Sequence, residues 1–146
     1  MILDTNAISA LIEDDEALHA RIASENTLFL PVIAIGELRF GLLGSRLRES
    51  LSEKLAALVR NATVLNVTDA TTPHYADLRQ ALKGAGTPIP ANDLWIAALA
   101  RQSADGLDLL PLTGIARATI GALRLNRPAL RNLRRALQAV GAHPPE

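Results

Sequence analysis

The sequence predicts an α/β fold with a mainly parallel sheet, on three observations. Short apolar runs alternate along the chain with helical stretches, the pattern of strands joined by crossover helices. Apolar residues fill 49% of the 146 positions and charged residues 21%, enough to build a core and too little charge for a disordered chain. The length suits one domain, on a prior of roughly 100–200 residues each.

Residues 1–3 (Met1, Ile2, Leu3) read as a buried strand ending at Asp4. Thr5 and Asn6 are helix-capping types, and residues 7–12 follow as a short helix. Asp14 or Asp15 suits the cap of a second helix over 16–24, and residues 28–30 form the next buried strand. Pro31 fits the first turn of a helix that carries Ile33, Glu37, Phe40 and Gly41 on one side and stops at Gly44. A helix over 46–59 has Leu47, Leu51, Leu55 and Leu58 as its apolar stripe. Residues 64–67 are a third strand, apolar and β-branched. Thr72-Pro73 starts a helix with Tyr75, Leu78 and Leu82 inward and Gly84 or Gly86 at its end. After an extended loop over 87–90, Asn92 and Asp93 open a helix with Ile96, Ala97, Leu99 and Ala100 as apolar positions. Residues 107–110 are a fourth strand; Leu130, Leu133, Leu137 and Val140 mark a final helix near 128–140, before a short tail.

The absence of cysteine removes disulfides, thiolate metal sites and cysteine nucleophiles, and suits a reducing compartment. Asp4 stands where a signal peptide would be basic, and the longest apolar run, around 28–35, contains Pro31 and falls short of the ~20 residues of a membrane helix. The expectation is a cytoplasmic protein with no membrane partner. His19, His74 and His143 lack ligand spacing, the first two reading as helix-surface residues and the third as tail.

The net charge of zero conceals a split. Residues 1–110 hold fourteen acids and nine bases, whereas residues 111–146 hold six arginines and one acid, Glu146. Three acids of the first part have unusual neighbours. Asp4 ends a strand, where ligands gather in open α/β sheets. Glu37 interrupts an apolar helix, and Asp93 lies in a first helical turn, where the helix dipole favours a carboxylate. Each also has a plain structural reading, as a cap, a solvent-facing position or a first-turn acid. Gathered at one site they would repel, and a hard divalent cation such as Mg²⁺ or Mn²⁺ would remove that penalty.

The segment Met1-Ile2-Leu3-Asp4-Thr5-Asn6-Ala7-Ile8-Ser9 resembles the opening of PIN-domain proteins, specifically VapC-type toxins of bacterial toxin–antitoxin pairs. Residues 31–41, around Glu37, and 88–98, around Asp93, resemble their second and third acidic segments, in the same order. The resemblance covers residues 1–110, the core of a PIN-like domain, and implies a three-layer α/β/α sandwich. It further implies a Mg²⁺- or Mn²⁺-dependent endoribonuclease that forms a homodimer and is inhibited by a cognate antitoxin. Asp4, Glu37 and Asp93 would then be the metal-binding and catalytic acids, with Thr5 and Asn6 in support. Arg39, Arg46 and Arg48 would be contacts for RNA or antitoxin.

The resemblance stops at the fourth acid, which the family carries just after its fourth strand. Here Thr113 or Ile115 falls at that place, and Asp105 and Asp108 are poor substitutes, lying before and within the strand. The divergent basic segment 111–146 begins at the same point, which reads as a departure from the family's reading frame or a replacement there. Its Arg127, Arg131, Arg134 and Arg135 suit either a solvated helix face or phosphate contact. The alternative to an active nuclease is therefore a catalytically impaired PIN-like module that binds antitoxin or RNA without cleavage.

Overall fold

The computed structural model describes residues 1–106, with side chains described to Ser103. The predicted fourth strand, the helix near 128–140, Thr113, Ile115, Asp108 and the C-terminal arginines lie outside the described residues. The chain divides into two compact units, Met1–Asn66 and a second beginning at Val67.

The first unit is built on parallel pairing. Strand β1 (Phe29–Pro31) pairs with β2 (Thr63–Leu65) in the register Phe29↔Thr63, Leu30↔Val64, Pro31↔Leu65. Residues 1–3 pair with β1 through a parallel bridge, Ile2↔Phe29, closed by Leu3 N–H to Phe29 C=O at 3.0 Å and Phe29 N–H to Met1 C=O at 2.8 Å. Phe29 thus spends its own donor and acceptor on the N-terminal segment. Its neighbours face the other way, and Leu28 C=O accepts from Thr63 N–H at 2.8 Å. β1 therefore lies between the two, with Leu30 wholly buried.

Helix α1 (Thr5–Ile12) buries Ala7, Ile8, Leu11 and Ile12. Its cap is Asp4, and the predicted capping types Thr5 and Asn6 are instead its first two residues. α1 ends in a Schellman turn: Asp15 N–H bonds Ala10 C=O, Asp14 N–H bonds Leu11 C=O, and Asp14 takes φ 64°. Asp15 then caps α2 (Glu16–Ile22) by accepting from Leu18 N–H at 2.9 Å. This frees Asp14 to accept a hydrogen bond from Lys54, which holds its carboxyl below the ordinary value.

Pro31 closes β1 and stands just before α3 (Val32–Leu42) with ψ 131°, one step ahead of the predicted first turn. α3 buries Ala34, Ile35, Leu38 and Leu42. Phe40, expected beside Glu37 on a shared face, is 78% exposed. Helix α4 (Arg48–Asn61) starts later than its leucine stripe suggests, so Leu47 precedes the helix and is 65% exposed, and only Leu55 is fully buried.

In the second unit a 3₁₀ turn (Asp69–Thr71) leads directly into α5 (Thr72–Gly84), with Pro73 in its first turn. Thr71 is completely buried; its hydroxyl accepts from Thr68 N–H at 3.0 Å and donates to Gln102 Oε1 at 2.7 Å, tying the turn to α6 (Ala91–Gly106). Leu78 and Leu82 of α5 form a cluster with Leu94, Ala97 and Ala98 of α6. Arg101 Nη1 lies 3.5 Å from Asp77 Oδ2, an ion-pair distance, and makes no hydrogen bond. Among the described residues, no helix is long and apolar enough to cross a membrane.

α5 ends in a second Schellman turn, with Thr87 N–H on Leu82 C=O at 3.0 Å and Gly86 N–H on Lys83 C=O at 3.1 Å. Gly86 has φ +66°, and a Cβ there would meet nothing within 4 Å. The cost of a side chain is therefore conformational. Gly86→Ala is expected to lower stability by about 1–2 kcal/mol in urea denaturation. Gly84→Ala, in the last helical turn with equal space, is expected to raise it by up to about 1 kcal/mol. Equal effects of the two changes would contradict this account.

Candidate active site

Asp4 is 3% exposed, at the point where the N-terminal segment leaves the sheet and α1 begins. Its Oδ1 accepts from Ala7 N–H at 2.8 Å. A buried carboxylate is costly without such donors, and the first turn of a helix presents them with a favourable dipole. The next residue, Thr5, donates its hydroxyl to Glu37 Oε2 in a hydrogen bond. The bond spans 32 residues of sequence and joins the start of α1 to the middle of α3.

Glu37 is half-buried, one helical turn after the core residue Ala34 and next to buried Leu38. The first unit thus brings Thr5 and Glu37 into contact, with Asp4 adjacent to Thr5 in the chain. Asn6 is exposed in the first turn of α1. Asp93 lies in the second unit, half-buried in the first turn of α6, where Leu94 N–H bonds Pro90 C=O at 3.0 Å. Within neither unit, among the described residues, do three carboxylate, imidazole or thiol side chains gather as a metal cluster. The donor chemistry of Asp4, Glu37 and Thr5 is nonetheless all hard oxygen, which suits Mg²⁺ or Mn²⁺ rather than a thiophilic metal.

Arg39 is exposed on α3. Arg46 and Arg48 line an open surface groove with Glu49, Ser52 and Glu53. Between these arginines the chain exposes Phe40, Leu43 and Leu47. Sequence reasoning placed Phe40 on a shared helix face and Leu47 in an apolar stripe and did not mark Leu43, so it did not foresee that all three are exposed. It also missed the contact between Tyr75 and Trp95, whose rings stack with centroids 4.0 Å apart. No spacing rule links positions on two different helices.

Comparison with known proteins adds to this geometry. The sequence profile of the PIN domain matches residues 1–107. The chain is 32% identical over 100 residues to ribonuclease VapC1 of Haemophilus influenzae, covering 66% of this chain and 75% of that protein. It is 31% identical over 109 residues to ribonuclease VapC5 of Mycobacterium tuberculosis, covering 70% and 76%. Its fold is similar to VapBC2 of Rickettsia felis, solved bound to a DNA fragment from its promoter. The TM-score is 0.64 and the identity 26%, over 70% of this chain and 80% of that one.

The Thr5–Glu37 bond predicts a graded response. Thr5→Val is expected to lower stability by about 1.5–3 kcal/mol, the range for a hydrogen bond to a charged group, with exposure favouring the lower end. Thr5→Ser, which keeps the hydroxyl, is expected to recover most of that loss in chemical denaturation. Indistinguishable Val and Ser variants would show that the hydroxyl contributes nothing.

Proposed function

The chain belongs to the PIN-domain family, as a VapC-type protein, and from that membership we propose that it is a metal-dependent endoribonuclease toxin of a toxin–antitoxin pair. The observation that carries the reading is the buried Asp4 cap beside the Thr5–Glu37 hydrogen bond, in the segments that resemble the family's acidic motifs.

In this reading Asp4, Glu37 and Asp93 hold Mg²⁺ or Mn²⁺ and are the catalytic acids. The cation supplies Lewis acidity for hydrolysis of an RNA phosphodiester by water. Asp4 is oriented by Ala7 N–H, which fixes one carboxylate oxygen. Thr5 restrains the Glu37 carboxylate from the side of α1. Burial of Asp4 keeps its oxygens partly out of water, which strengthens their attraction for a cation. Asn6, exposed in the first turn of α1, would support the site by hydrogen bonding.

The partners follow from the same membership. The Rickettsia felis relative was solved as a VapBC complex, and a cognate antitoxin is the corresponding partner here. The exposed side chains of Phe40, Leu43 and Leu47, close in sequence to Arg39, Arg46 and Arg48, suit an antitoxin segment that carries both apolar and acidic residues. Homodimerisation belongs to the same reading.

The test incubates the full chain with RNA in Mg²⁺, in Mg²⁺ with excess chelator, and as Asp93→Asn. Cleavage in the first condition alone is expected. Binding without cleavage in all three supports the second reading, a PIN-like module that captures RNA or antitoxin. That second reading rests on the absence of any carboxylate from residues 111–115. With one carboxylate fewer, a site binds a dication more weakly, so Thr113→Asp is expected to tighten Mg²⁺ binding in calorimetric titration. Unchanged affinity would remove Thr113 as the position of a missing ligand.

A further inference from the structure

The chain's only tyrosine stacks on its only tryptophan. Tyr75 of α5 and Trp95 of α6 lie with ring centroids 4.0 Å apart and planes inclined by 24°. Arg79, one turn after Tyr75, donates from Nη1 to the tyrosine hydroxyl at 3.2 Å and holds its guanidinium carbon 5.9 Å from the ring centroid. Tyr75 is packed on the Leu78, Leu82, Leu94, Ala97 and Ala98 cluster, which fixes the stack from beneath. Both rings are only half-buried and Arg79 is exposed.

We propose that Tyr75, Trp95 and Arg79 form a ledge that takes one unpaired nucleobase of an RNA substrate. The proposal deepens the ribonuclease reading and rests on it. A fixed aromatic surface stacks on any base, and a guanidinium plane adds both stacking and donors. Arg79 commits one N–H to Tyr75 and keeps others for a neighbouring phosphate. Trp95 lies two positions after Asp93, and positions two apart on a helix project in different directions. The ledge therefore addresses a nucleotide flanking the one nearest Asp93 and contributes to RNA affinity rather than to bond cleavage.

Because Trp95 is the only tryptophan, its fluorescence reports on the ledge directly. The test titrates the full chain, with chelator present so that nothing is cleaved, with a short oligoadenylate. A matched sugar–phosphate oligomer without bases is the control. The expected result is quenching of Trp95 by the oligoadenylate alone. Tyr75→Leu removes the ring that backs Trp95 and should weaken binding of the oligoadenylate by about 5-fold or more, from the low end of the range for one stacked base. If that variant does not fold, Arg79→Ala at its exposed position takes its place, and binding should again weaken. Quenching by the base-free oligomer to the same extent, or variants that bind as tightly as the parent, overturns the ledge. Cleavage of RNA in Mg²⁺ without quenching in chelator overturns the ledge and leaves the ribonuclease reading standing. Absence of both cleavage and RNA binding overturns both.

Discussion

A carboxylate removed from water must be met by donors, and in this chain that requirement falls on Asp4. Ala7 N–H answers it, which obliges a helix to begin at the next residue. The preceding residue is already committed, because Leu3 N–H is held by Phe29. Strand pairing and helix therefore meet with no intervening loop. Thr5, at the first position of that helix, is placed where its hydroxyl reaches Glu37. The capping bond is worth about 0.5–2 kcal/mol as a contribution to stability. Its greater effect is geometric, since it fixes where an acidic side chain stands at the end of a parallel sheet.

Much of this could be read from the residues. Alternating apolar runs and helix caps located β1, β2 and the six α-helices of the described residues to within a few positions. Mismatches arose where one residue had two plausible partners. Asp4, Thr5 and Asn6 are all capping types, and the choice among them depends on where the strand's hydrogen bonds end. Leu47 fits the leucine stripe of α4 by spacing, yet the helix starts one residue later and leaves it in water. α3 buries Ala34, Ile35, Leu38 and Leu42 but exposes Phe40, a division that depends on what packs against it rather than on its own composition. The acids Asp4 and Glu37 stood out in sequence because their neighbours are apolar. The hydroxyl that links α1 to Glu37 has no local signature of its kind, because its partner lies 32 residues away.

The charge pattern and the family boundary agree in position. The PIN-domain match ends at residue 107, and the balance of charge turns from acidic to basic after residue 110. Net neutrality is thus the sum of an acidic family portion and an arginine-rich continuation. Two Schellman turns within the acidic portion follow one design by different means. Gly86 takes the left-handed conformation at little cost, while Asp14 takes it at φ 64° and is secured by Lys54.

The exposure of Phe40, Leu43 and Leu47 has a colloidal consequence. Three large apolar side chains, each more than half exposed, lie close in sequence to Arg39, Arg46 and Arg48. The formal net charge of the chain is zero, so no net repulsion between copies offsets the attraction of such side chains. Strongly excluded salts such as sulfate strengthen that attraction. Self-association without a partner is then expected to rise in those salts.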